Sequence, residues 1–205
     1  MAFLNFKSSK KTQKSPSFYD RENRIQNASD LRFFLNQNTE ITTTVPITFR
    51  GIPLNDITLK QMENRLGNPL HVLNHEYRIA GHFVYFYKQK VEKLTLLMQL
   101  HFFNDFFLLA VTKFSSDYLL DNASKLKLTT QILQNYPGIT QKTELHALKF
   151  KDQNGSLLFT EENVFYYIHY LCNSHQIQKF KTQINWENLT QTIPDTPIES
   201  LNKFI

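Results

Sequence analysis

The stretch from Leu94 to Phe114 constrains this chain more than any other. Leu94, Leu96, Met98, Leu100 and Phe102 alternate with Thr95, Leu97, Gln99, His101 and Phe103. A period of two puts successive side chains on opposite faces of a strand. Asn104-Asp105 supplies a tight turn, and Phe106 to Phe114 returns as the most apolar run in the sequence. The pair reads as a hairpin at the centre of a sheet, with the Leu94-to-Phe102 set facing a core. His71 to Ile79, Phe83 to Tyr87 and Val164 to Leu171 add further strand-like runs. With 18 Phe and 9 Tyr, the composition favours strands over a helical bundle, because both residues pack well on a pleated surface.

Helical signals punctuate these strands. Asp30 to Gln37 carries Leu31, Phe34 and Leu35 on one side. Thr58 and Gln61 have capping-box spacing, Leu59, Met62 and Leu66 recur at helical intervals, and Gly67 then Pro69 end the helix. Asp121 or Asn122 caps another helix carrying Leu126, Thr129, Ile132, Leu133 and Tyr136, which stops at Pro137-Gly138. Between the first two helices, Ile41, Thr43, Val45, Ile47 and Phe49 alternate as a strand, with Pro46 placing it at an edge or bulge. Glu144 to Lys151 and Ser156 to Thr160 flank the turn Asp152-Gln153-Asn154-Gly155. Near the C-terminus Ile177, Phe180 and Ile184 have helical spacing, and Thr196-Pro197-Ile198-Glu199 opens a last helix carrying Leu201 and Ile205.

The expected fold class is therefore α+β: an antiparallel sheet with short helices packed on one side. Helix, Pro/Gly stop and about three strands occur twice, and Gly67 and Gly138 stand 71 positions apart. That spacing suits two tandem αβββ units. The expected organisation is a flexible basic arm over 1–28, a first unit over 29–118, and a second unit with a C-terminal helix over 119–205.

Gly51, the helix ending in Leu66-Gly67-Asn68-Pro69, the strand Val84-Tyr85-Phe86-Tyr87 and the Phe-rich run to Phe114 together carry a resemblance. This third of the chain resembles the β-lactamase-inhibitory-protein-like fold, shared with small outer-membrane assembly lipoproteins. The resemblance implies tandem αβββ units whose sheet presents one face to another protein, without catalysis. The lipobox cysteine, export signal and cysteine pair of that group are not seen in this sequence, so no functional residue is carried over.

Charge and cysteine content narrow the function classes. The net charge is +5, but Lys7, Lys10, Lys11 and Lys14 account for most of it, leaving the remainder close to neutral. A near-neutral folded part offers no basic face, so no nucleic-acid partner is expected. The arm, with Phe3, Leu4 and Phe6 beside its lysines, suits weak contact with an anionic membrane. One cysteine, Cys172, forms no internal disulfide, and no signal peptide or membrane span is read, so a cytoplasmic location is the expectation.

Motif chemistry is sparse, and no cofactor or metal site is expected. His71 and His75 lie four apart, but in a strand that spacing separates the side chains by ~13 Å. His169 and Cys172 are close in sequence and would point to opposite faces of a continuing strand. Asp152 to Gly155 suits a turn better than a calcium loop, and adjacent Glu161 and Glu162 would also diverge. The aromatics remain: Tyr85 and Tyr87 on one strand, Tyr166 and Tyr170 on another, are the candidate partner-binding residues. The leading expectation is a non-enzymatic binding or adaptor module that engages a protein through a sheet face or edge. The alternatives are an enzyme centred on His101, His169 and Cys172, or a membrane-associated protein tethered by its arm.

Overall fold

The structure, a computed structural model, describes residues 16–76, 78–116, 119–139 and 147–183. The arm lysines Lys7 to Lys14, the beginning of the Glu144 strand, Ile184 and the Thr196 helix lie outside these residues.

One eight-stranded, mostly antiparallel sheet organises the α+β fold. Its strands are β1 (Thr42–Thr43), β4 (His71–Asn74), β5 (His82–Val91), β6 (Leu94–Phe103), β7 (Phe106–Ser115), β8 (Lys149–Asp152), β9 (Leu157–Glu162) and β10 (Tyr166–Leu171). β2 (Thr48–Phe49) and β3 (Ile52–Pro53) form a separate small ladder. In the large sheet the order is β1-β8-β9-β10-β7-β6-β5-β4, with only β1–β8 parallel. The expected hairpin is β6–β7, turning at Asn104 and Asp105, which adopt φ of 44° and 68°. Two positive φ values match the right-handed twist of the paired strands.

Five helices complete the described fold: α1 (Phe18–Glu22), α2 (Ala28–Leu35), α3 (Leu59–Leu66), α4 (Asn122–Gln134) and α5 (His175–Gln183). Local chemistry sets their starts. Ser17 and Thr58 form reciprocal capping boxes with Asp20 and Gln61, while Asn27 and Asp121 accept first-turn amides.

The helices cover both sheet faces, which corrects the expectation of one helical side. Thr129 of α4 meets Tyr166, and Phe34 of α2 packs against His169, three residues along β10 and so on the opposite face. The reason is in the central strands: nearly every position of β6, β7 and β10 is buried, so each face needs a cover. Segments 29–118 and 119–205 also contribute to the same sheet, through β7–β10 pairing. In chain order α3 leads into four strands and α4 into three.

Two further expectations change. The arm does not extend to residue 28: from Ser17 the chain is folded, and Asn23, Ile25 and Ala28 are buried. The Ile41-to-Phe49 strand is split into β1 and β2 around Pro46, and the Ile47 amide donates instead to the Asp152 carboxylate at 3.0 Å.

Candidate functional site

The two edges of the sheet are finished differently. On one side β1 runs along β8, Lys151 N–H donates to the Ile41 carbonyl at 2.9 Å, and the Thr39 hydroxyl donates to the Lys149 carbonyl. On the other side β4 is terminal, and among the described residues no strand lies beyond it. His75 N–H donates to the His82 carbonyl, and the register pairs Leu73 with Val84 and His71 with Phe86. Antiparallel alternation then turns the backbone groups of Val72 and Asn74 outward, away from β5. The side chains there are apolar and open: Leu70 is 57% and Val72 43% exposed. Pro69, one residue before Leu70, is the nearest edge-blunting device.

Beside this edge lies an apolar groove of about 360 Å³, lined by Phe18, Tyr19, Leu70, Lys88, Thr95 and Leu97 among others. It lies between α1 and the ends of β5, β6 and β7, at Lys88, Thr95 and Ser115. Tyr19 closes one side by stacking on His71 of β4, ring centroids 4.1 Å apart, while Phe18 stays 51% exposed. Lys88 is exposed at the rim.

Residues 17–27 form a strap that holds this wall in place. The buried Gln99 amide accepts from Arg24 N–H at 3.0 Å and donates to the Glu22 carbonyl at 2.6 Å. Lys113 donates to both Glu22 carboxylate oxygens, at 2.9 and 2.8 Å, and its amine lies 3.8 Å from the Phe165 ring centre. Arg24 grips Glu161 at 2.8 and 2.7 Å and lies over Tyr167. Charge-assisted contacts of this kind are among the stronger polar interactions when water is largely excluded.

A chain of histidines shares the sheet face of Gln99 and Lys113, the residues that hold the strap, and His82 stacks on Phe103 with ring centroids 4.4 Å apart. His75 Nδ1 lies 3.1 Å from His82 Nδ1, and His82 Nε2 lies 3.0 Å from His101 Nδ1. His169 is farther along the same face, stacked on Phe159. His82, His101 and His169 have no exposed surface, and His75 is 2% exposed. Burial pushes His75 down to about 4, with help from Arg78, and His169 down to about 3, with help from Arg24. Burial, with nearby His75, His169 and Arg24, likewise lowers His101 to about 3. His82 is lowered too, by burial and then by its two histidine neighbours. All four are neutral at pH 7. Among the described residues His101 Nε2 has no hydrogen-bond partner, and Glu161 stands 3.7 Å from His169 Nε2, beyond hydrogen-bond reach.

The candidate tyrosines do share a face, but it is the opposite one and it is covered. Tyr87 and Tyr166 are buried; the Tyr166 hydroxyl meets Thr129, and Tyr170 packs edge-on against Phe49. Tyr85 is half-buried against Phe102. These four therefore form no free docking surface, because α4 and the β2–β3 segment occupy their side of the sheet.

The His/Cys group is not assembled either. His101 and His169 face the strap, whereas buried Cys172 lies 3.3 Å from Asn55 on the other side, its thiol pushed up by burial. Asp152 organises its turn by accepting from the amides of Asn154 and Ser156. Glu161 and Glu162 diverge to Arg24 and Lys125. Neither the open edge nor the histidine chain was identified as a site from sequence. The alternation of Leu97, Gln99 and His101 was its available signal, since three strand positions mixing apolar and polar groups imply a polar layer on that face.

No helix among the described residues is long and apolar enough to cross a membrane. No family model, no curated protein and no solved structure matches this chain.

Proposed function

We propose that this protein is a non-enzymatic binding module that receives an extended segment of a partner protein along β4. The carrying observation is the difference between the two terminal strands: β1 is only two residues long, while the four-residue β4 presents outward backbone groups beside exposed Leu70 and Val72. Strand addition draws affinity from main-chain hydrogen bonds and specificity from pockets for alternate side chains. The groove at Phe18, Tyr19 and Leu70 supports the second requirement, and the exposed Lys88 at its rim favours an acidic residue next to an apolar one. The meander after α3 and the meander after α4 also support two tandem units, a reading that we extend from the spacing of Gly67 and Gly138.

Selection of short displayed peptides against the folded chain tests this. Peptides with alternating apolar residues and at least one acid should be enriched, and both Leu70→Asp and Val72→Pro should weaken their capture at least tenfold. Enrichment of peptides whose capture ignores both substitutions would contradict the proposal.

A further inference from the structure

The histidine chain has a proton capacity set by its geometry. Three neutral imidazoles carry one N–H each, and the contacts His75–His82 and His82–His101 each hold one hydrogen between two nitrogens. One additional proton can be placed with both contacts intact, by protonating the outer nitrogens at both ends. A second additional proton must set N–H against N–H at one of these contacts, and that contact then separates.

The surroundings do not favour even the first charge. His75 faces Arg78 from its own loop, Asp20 of α1 and Asp30 of α2; His82 faces His75 and His101; His101 faces His75, His169 and Arg24. The two carboxylates lie toward the strap and α2, at the outer end, whereas Arg24 lies near the inner end and is already paired with Glu161. Strap and chain are also joined mechanically: Arg78 donates to the Gln26 carbonyl at 3.4 Å, and Gln99, between Leu97 and His101 on β6, holds Glu22 and Arg24.

We propose that His75, His82 and His101 form an acid-sensitive latch for the strap, so that uptake of a second proton breaks a ring contact and lifts residues 17–27 from the sheet. Phe18 and Tyr19 leave with it, and the groove loses a wall. The latch rests on the proposed β4 docking reading only for this last consequence; the opening itself is a property of the free protein. An imidazole that becomes accessible, with an ordinary pKa near 6.5, biases the open state about 25-fold between pH 7 and pH 5. Two such groups give a shift of roughly 600-fold, and three give on the order of 10⁴-fold.

Residue-resolved amide exchange on the full chain, corrected for the intrinsic pH dependence of exchange, reads this directly. From pH 7 to pH 5 the opening constant of amides 17–27 should rise at least several hundredfold while β6 and β7 remain protected. His101→Gln, which keeps a polar group beside His82, should reduce the rise by about 25-fold. His75→Asn should do the same from the outer end, and serves if the first variant does not fold. Strap and sheet amides opening together at one pH would overturn the latch, as would an unchanged rise in the folded variants. Peptide capture at pH 7 is scored separately: its failure removes the docking reading and leaves the exchange result intact.

Discussion

At the scale of single residues, the polar groups buried on the two sheet faces separate grips from passengers. Gln99 is a grip, because Gln99→Leu would take away the partner of the half-buried Arg24 N–H and Glu22 carbonyl. A fully buried unpaired group costs ~1–3 kcal/mol, so for these two half-buried groups urea denaturation should show a loss of about 1–3 kcal/mol. Tyr87 is a passenger: its hydroxyl is buried without a hydrogen-bond partner among the described residues, and burial raises its pKa to about 12. Tyr87→Phe should therefore be neutral or stabilising by up to about 1 kcal/mol. Tyr166→Phe loses its contact with Thr129 and should cost about 1 kcal/mol in the same assay. A large loss from Tyr87→Phe would show that its hydroxyl has a role not accounted for by this packing.

At the scale of elements, what the sequence revealed follows from how local the cause was. The β6–β7 hairpin was legible because alternation and the Asn104-Asp105 turn both act within a few residues. So were the core residues Leu31, Phe34 and Leu35 of α2, set by helical spacing. The strap was not legible, since its hold depends on Gln99, Lys113 and Glu161, which are distant in sequence. The tyrosines were assigned correctly to strands, but period two cannot say which face a helix will cover. Leu126, one of the apolar residues at helical spacing on α4, is 39% exposed, because spacing alone does not fix how far the helix turns toward the sheet. The β6–β7 turn offers an element-level test. Gly81 has φ +71°, and a Cβ there would meet the Asn104 side chain at 2.1 Å. Gly81→Ala should destabilise by about 1–3 kcal/mol through strain and collision. Adding Asn104→Gly should recover part of that loss in thermal denaturation, since φ 44° at position 104 suits glycine.

At the scale of the whole molecule, one face of the sheet carries a neutral imidazole layer, and among the described residues no strand lies beyond β4. The folded-state pKa values of His75, His101 and His169 lie at about 4, 3 and 3, below the unfolded value near 6.5. Below pH 6.5 the unfolded chain therefore binds protons that the folded chain refuses, and stability falls as pH drops toward 4. Each of the four buried histidines contributes a slope of up to about 1.4 kcal/mol per pH unit in that window, and essentially none above pH 7. Denaturant titrations at pH 7, 6 and 5 should show this acid loss; a flat profile would contradict neutral burial of the histidines. The open edge makes the functional claim, and it is tested most directly by amide protection in a complex with a selected peptide at pH 7. Strand addition on β4 predicts that the amides of Val72 and Asn74 gain protection while those of Leu73 and of β1 at the other edge do not change. Protection gained elsewhere, with Val72 and Asn74 exchanging as in the free protein, would contradict it.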